Sequence, residues 1–132
     1  MTKIRHKKTI CFDFDGVCST YNGWKGFNVF GKPVPQVALL INTLRQRGYN
    51  CILWTTRLHT PELDQWLRTN GFNFDSINSC CHNPPNTNNK PIADMYIDDR
   101  AFRFSIKHAV EDTKKILDVL DGSQKSTRNK EL

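Results

Sequence analysis

The chain has 132 residues, 38% of them hydrophobic and 24% charged, enough for one modest core but not for two domains. No apolar stretch approaches the roughly 18 residues of a membrane span, and the short apolar run after the basic N-terminus predicts no signal peptide. The formal net charge of +6 lies in the two ends, Lys3, Arg5, Lys7 and Lys8 before residue 9, and Lys125, Arg128 and Lys130 against Glu131 after residue 121.

The first predicted element is a buried strand over residues 9–14, Thr9-Ile10-Cys11-Phe12-Asp13-Phe14, which runs out into Asp15-Gly16. Asp13 and Asp15 stand at i and i+2, so on a strand both side chains point the same way, ~6–7 Å apart. Two anions held that close repel unless a cation or a shared proton relieves them. Mg²⁺ takes hard oxygen ligands and accepts phosphate as a co-ligand, which makes it the natural relief. By itself the string also reads as an ordinary acidic turn.

Gly16, Gly23, Gly26 and Gly31 then alternate with Tyr21, Trp24, Phe27 and Phe30, a spacing that predicts a short hairpin or flap. Its aromatics suit either stacking on a nucleobase or packing the hairpin onto the domain. A helix is predicted over 35–47, with Val37, Leu40, Ile41 and Leu44 on one face and Gly48 as its stop. The next strand, 50–54, ends in Thr55-Thr56-Arg57. Thr60-Pro61 opens a second helix that Gly71 closes, with Leu63, Trp66 and Leu67 inward. A short strand near 73–78 precedes an Asn/Pro-rich loop, 80–91, in which Lys90 is followed by Pro91. Strand 94–98 ends in Asp98-Asp99-Arg100, and a last helix over 108–120 is expected to bury Val110, Ile116, Leu117 and Leu120.

Strands alternating with helices predict an α/β fold, a three-layer Rossmann-like parallel sheet with helices on both faces. One domain is expected over 9–121, with a flap at about 16–34, a basic tail at 1–8 and a polar tail at 122–132. In such sheets ligands bind outside the carboxyl ends of the strands. The acids, the hydroxyls and the second acid pair all fall at those ends and should converge on one crevice. Five cysteines, two of them inside core strands, fit reduced thiols in a cytoplasm. Cys80-Cys81-His82 has no partner cluster at zinc-site spacing.

The ordered segments ICFDFDG, CILWTTR, NKP and MYIDDR, spanning residues 9–100, resemble the four motifs of the haloacid dehalogenase superfamily of phosphohydrolases. The WTTR and IDDR segments are most similar to small phosphatases of that superfamily, including polynucleotide 3′-phosphatase domains and deoxyribonucleotidases. The resemblance implies that Asp13 is a nucleophile forming an aspartyl-phosphate and a Mg²⁺ ligand, and that Asp15 is the general acid and base. It implies that the Asp15 backbone carbonyl and Asp98, with Asp99 nearby, complete the Mg²⁺ site. Either Asp98 or Asp99 is left open as the direct ligand, Asp98 being preferred. Thr55, or else Thr56, would bind a phosphoryl oxygen, and Lys90 would neutralise the charge on Asp13 and phosphate. Arg57, Arg100, Thr56 and Gly16 are expected on the substrate side.

An Asp at position 15 favours phosphatase chemistry, since dehalogenases of the superfamily lack a carboxylate there and its transport ATPases carry Thr. The intervals where larger relatives insert a cap hold about twenty and about twelve residues here, too few for an independent lid. An open site favours a bulky phosphate ester or a lid lent by a second subunit. A nucleotide or polynucleotide end is the preferred substrate, with a sugar phosphate or another small metabolite as the alternative. A non-catalytic phosphate-binding scaffold is a third reading. A signalling receiver domain is disfavoured because its acidic pair comes first and its Lys-Pro last, the reverse of the order here.

Overall fold

The computed structural model describes residues 8–80 and 82–131, with residues 123–131 as backbone only. The expected basic tail, apart from Lys8, and Cys81 lie outside the described residues. In chain order the elements are β1 (Thr9–Phe12), α1 (Pro35–Gln46), β2 (Asn50–Leu53), α2 (Pro61–Thr69), β3 (Ser76–Ile77), β4 (Met95–Ile97), a 3-10 turn (Ile106–His108) and α3 (Ala109–Glu131). Two compact units result, one reaching to Asp99 and the other starting at Arg100.

The first unit is an α/β fold built on a parallel sheet of order β3-β2-β1-β4. The chain steps outward from β1 through β2 to β3 and then returns to β4 on the far side of β1, so the order reverses between β1 and β4. Ile10, Phe12, Cys51 and Leu53 form one core cluster with Ala38 and Ile41 of α1 and Leu63 and Leu67 of α2. Two successive crossovers that step in the same direction leave their helices on the same face of a sheet, because both crossovers are right-handed. Trp66 extends this core, stacked on Phe72 with ring centroids 5.4 Å apart and edge-on to Phe14 at 5.0 Å. Helix α2 begins where its sequence dictates: the Thr60 side chain accepts from the Leu63 amide at 3.1 Å, and Pro61 occupies the first turn.

At the amino ends of the strands the same device is used twice. Asp94 accepts from the Thr9 amide through Oδ2 at 2.7 Å and donates its own amide to the Thr9 carbonyl at 2.8 Å. Asp75 repeats both bonds on Cys51, at 2.7 and 2.8 Å, and also pairs with Arg45 at 3.1 Å. Each acid thereby brackets the start of a neighbouring buried strand.

The second unit departs from expectation. Helix α3 continues to Glu131 instead of giving way to a tail near residue 121. Gln124, Lys125, Arg128 and Lys130 are good helix formers and no proline intervenes, so Gly122 alone does not stop it. The stripe expected to be buried is not: Val110 is 82% exposed, Leu117 and Leu120 are more than half exposed, and Ile116 is intermediate. Among the described residues of this unit there is only the 3-10 turn beside the helix, so the unit has no second layer of its own against an apolar face. Among the described residues no helix is long and apolar enough to cross a membrane.

Candidate active site

The parallel register fixes the centre of the site. Phe12 of β1 stands opposite Ile97 of β4, and the Asp13 amide donates to the Ile97 carbonyl at 3.0 Å. The residues that follow, Asp13 on one strand and Asp98 on the other, therefore emerge side by side at the point where the strand order reverses. Asp13, Asp98 and Asp99 each offer a carboxylate oxygen, and these oxygens all lie within 4.8 Å of one another. Three hard oxygen donors at this separation fit a divalent cation such as Mg²⁺. Both members of the Asp98-Asp99 pair take part in the cluster.

Asp13 is partly buried, whereas Asp98 and Asp99 are exposed. Its carboxyl is pushed up to about 6, first by burial and then by the charges of Asp98, Asp99 and Asp15, against a lowering contribution from the Phe14 amide. That amide donates to Oδ1 of Asp13 at 2.8 Å, which leaves Oδ2 as the uncommitted oxygen. Gly16 lies against the Asp99 carboxylate. Its φ of 84° is accessible to glycine, and a side chain there would collide with the Asp99 carboxylate. Gly16 thus contributes by shape to the acid cluster, a role different from the substrate contact expected of it.

Asp15 does not join the three acids. Its carboxylate is held side-on by Arg57, with Nε 2.9 Å from Oδ2 and Nη2 3.0 Å from Oδ1. The remaining Arg57 donors reach the flap: Nη1 donates to the carbonyls of Phe27 at 3.0 Å and Gly26 at 3.4 Å, and Nη2 to that of Val29 at 3.0 Å. All five guanidinium N–H groups are thereby engaged. Arg57 is only 4% exposed, and Trp24, Phe30 and Phe14 lie over it with ring centroids 4.8, 5.1 and 5.4 Å away. Arg57, expected on the substrate side, is an internal tie between Asp15 and the flap.

The flap segment folds back on itself. Its arms meet where the Thr20 amide donates to the Lys32 carbonyl at 2.9 Å and the Val34 amide to the Cys18 carbonyl at 2.9 Å. Phe30 packs inward on Phe14 and Trp66, whereas Trp24 and Phe27 remain more than half exposed. A cavity of about 450 Å³ lies against the flap, lined by Tyr21, Lys25, Lys32 and Arg57 among others. Another, of about 410 Å³ by Arg45, Tyr49 and Asp75, belongs to the amino end of β2 and β3 and is remote from the acids in the fold.

Thr55 follows β2 and is partly buried, and its hydroxyl oxygen accepts from the Arg57 amide at 3.1 Å, leaving the O–H available as a donor. Thr56 is exposed. Asn78, which the sequence reading did not single out, holds this loop in place: its Oδ1 accepts from the Thr55 amide at 2.8 Å and its Nδ2 donates to the Arg57 carbonyl at 3.3 Å. It does so from a φ of 56°, a conformation Asn tolerates well, and an Asn just past a short strand is the one signal the sequence carried. Lys90 is exposed, with its ammonium 5.2 Å from the centre of the Tyr96 ring, and makes no ion pair with Asp13 in this structure. Arg100 is exposed and belongs to the second unit.

No protein-family model and no curated protein matches the chain. A solved structure of a conserved protein from Bacteroides thetaiotaomicron is similar at 25% identity and a TM-score of 0.59, covering 86% of this chain and 98% of that one. The α/β fold is shared.

Proposed function

We propose that this protein is a Mg²⁺-dependent phosphomonoester hydrolase of the haloacid dehalogenase type. The observation that carries the reading is the division of labour among four carboxylates: Asp13, Asp98 and Asp99 cluster, and Asp15, two residues along, is held apart by Arg57. Clustered acids suit a cation, and a separately held acid suits proton transfer. The motif order read from the sequence supports the same assignment.

Bound at the cluster by Asp13, Asp98 and Asp99, with the Asp15 carbonyl, Mg²⁺ would supply charge neutralisation for a phosphoryl group. In the first step an Asp13 carboxylate oxygen attacks phosphorus while the bond to the leaving oxygen breaks, and Asp15, which must enter this step carrying a proton, gives it to that oxygen. In the second step Asp15 takes a proton from water, which attacks the same phosphorus, and the bond to Asp13 breaks to release phosphate. The Thr55 hydroxyl donates to a phosphoryl oxygen. Lys90, from the loop before β4, would neutralise charge on the phosphate.

The preferred substrate is a nucleotide or a polynucleotide end. Lys25 and Lys32 give the flap cavity a positive lining suited to a nucleic-acid backbone, and the exposed Phe27 offers a face to a base. A sugar phosphate or similar metabolite is the second reading, favoured by the limited cavity volume of about 450 Å³. A cytoplasmic location fits the reduced thiols, three of which are buried.

The test is phosphate release, with and without Mg²⁺, by the wild type and Asp13→Asn over nucleotides, a 3′-phosphorylated oligonucleotide and sugar phosphates. Activity should require both Mg²⁺ and Asp13, with a loss of more than about 10⁴-fold in the variant, beyond the usual range of a single positioned proton-transfer group. Equal release by both proteins would sink the nucleophile assignment. If Mg²⁺ were bound but no ester turned over, the scaffold reading would replace it.

A further inference from the structure

The buried arginine after β2 has a connection that the motif reading does not provide. We propose that Arg57 is a positioning residue for proton transfer, fixing the Asp15 carboxylate and the flap in one geometry so that proton delivery depends on a seated flap. The inference rests on the hydrolase reading and deepens it.

Three independent features of Arg57 meet here. It grips both oxygens of Asp15 side-on, at 2.9 and 3.0 Å, which removes the rotation a free carboxylate would have. Its other donors close on three flap carbonyls within four residues, Gly26, Phe27 and Val29. Trp24 of the flap covers its guanidinium at 4.8 Å, and Phe14, between the two catalytic acids in sequence, lies on it at 5.4 Å. Most of these contacts need a planar fork with five donors, and lysine has neither the plane nor the count.

The cavity against the flap shares Arg57 as a wall. A leaving group entering beside Tyr21, Lys25 and Lys32 therefore borders the same guanidinium that sets the direction of Asp15. Nothing in this arrangement requires Arg57 to touch substrate. It acts through Asp15, and its loss should be felt where proton donation to the leaving oxygen limits the rate.

Leaving-group dependence is the measurement. An alkyl phosphate needs its leaving alkoxide protonated, whereas p-nitrophenyl phosphate expels a stable phenolate with little help. Arg57→Lys and Arg57→Met should lower kcat on the alkyl ester by about 10²-fold or more, the usual worth of positioned acid catalysis, with KM nearly unchanged and the aryl ester much less affected. Because the ratio of the two rates is independent of the folded fraction, instability of the variants does not mimic the result. Trp24→Ala, at an exposed flap position, should move the ratio in the same direction by a smaller factor.

Equal loss on both esters in the Arg57 variants, recovery of the alkyl rate in Arg57→Lys, or an unchanged ratio in Trp24→Ala would each overturn the proposal while leaving the hydrolase reading intact. A wild type inactive on both esters would instead remove the hydrolase reading and this inference together.

Discussion

Asp13 is the residue on which opposing demands concentrate. Burial and three neighbouring carboxylates make its charge unfavourable, so its carboxyl holds a proton up to about pH 6. The folded protein therefore binds that proton more tightly than the unfolded chain, and stability falls as pH rises from about 4 through about 6. Asn at this position keeps an oxygen for the Phe14 amide and carries no charge. With divalent ions chelated, Asp13→Asn should thus be more stable than the wild type at pH 7.5, and the advantage should vanish below pH 4. Urea unfolding at the two pH values checks both the sign and the window. A variant less stable at pH 7.5 would show that the acids do not repel as the geometry indicates.

Among the elements, the strands depend on acids of another kind. Asp94 and Asp75 bracket the buried amides of Thr9 and Cys51, and a buried donor left without its acceptor costs about 1–3 kcal/mol. Asp94→Ala should lower the unfolding free energy by about that amount, and Asp94→Asn, whose amide oxygen still accepts, by much less. Equal losses in chemical denaturation would mean that charge rather than hydrogen bonding holds the bracket. These brackets were invisible in the sequence because they join positions 85 and 24 residues apart, and nothing local announces which strand an acid will meet. The strand-end acids were legible for the opposite reason: an apolar run followed at once by Asp places the carboxylate at a sheet edge whatever the neighbour. Helix α3 marks the limit of periodicity. Val110, Ile116, Leu117 and Leu120 align on one side, but alignment does not say what covers it. The internal role of Arg57 is hidden from its local sequence because the flap that consumes its donors folds back from 28 to 31 residues earlier in the chain.

At the scale of the whole molecule, the thiols report on integrity. Cys11, Cys18 and Cys51 are buried and unpaired, and burial pushes the Cys11 thiol up to about 12 and that of Cys51 up to about 11. A thiol that far from its thiolate is a poor nucleophile and inert toward alkylating reagents. The three should react only when the first unit opens, so their labelling rate should fall in step with added stability, whereas partly exposed Cys80 reacts at once. Mass spectrometry of a timed alkylation in increasing urea distinguishes them. Fast labelling of all three in the native protein would contradict the packing described for β1 and β2.

The flap has a consequence for how such a protein can diversify. The chain follows β1 into the flap at Cys18 and leaves it for α1 at Val34, the two joined by a direct bond between their backbones, with Thr20 and Lys32 joined just beyond. The ends of the excursion are thus already closed, and lengthening a closed loop adds only about 0.6 kcal/mol per doubling. An insert between those joints that spares residues 26–29 leaves the strands, their acids and the partners of Arg57 in place. The neck at Cys18 and Val34 is a graft point, at which a new specificity can be added provided that the Gly26, Phe27 and Val29 carbonyls still reach Arg57.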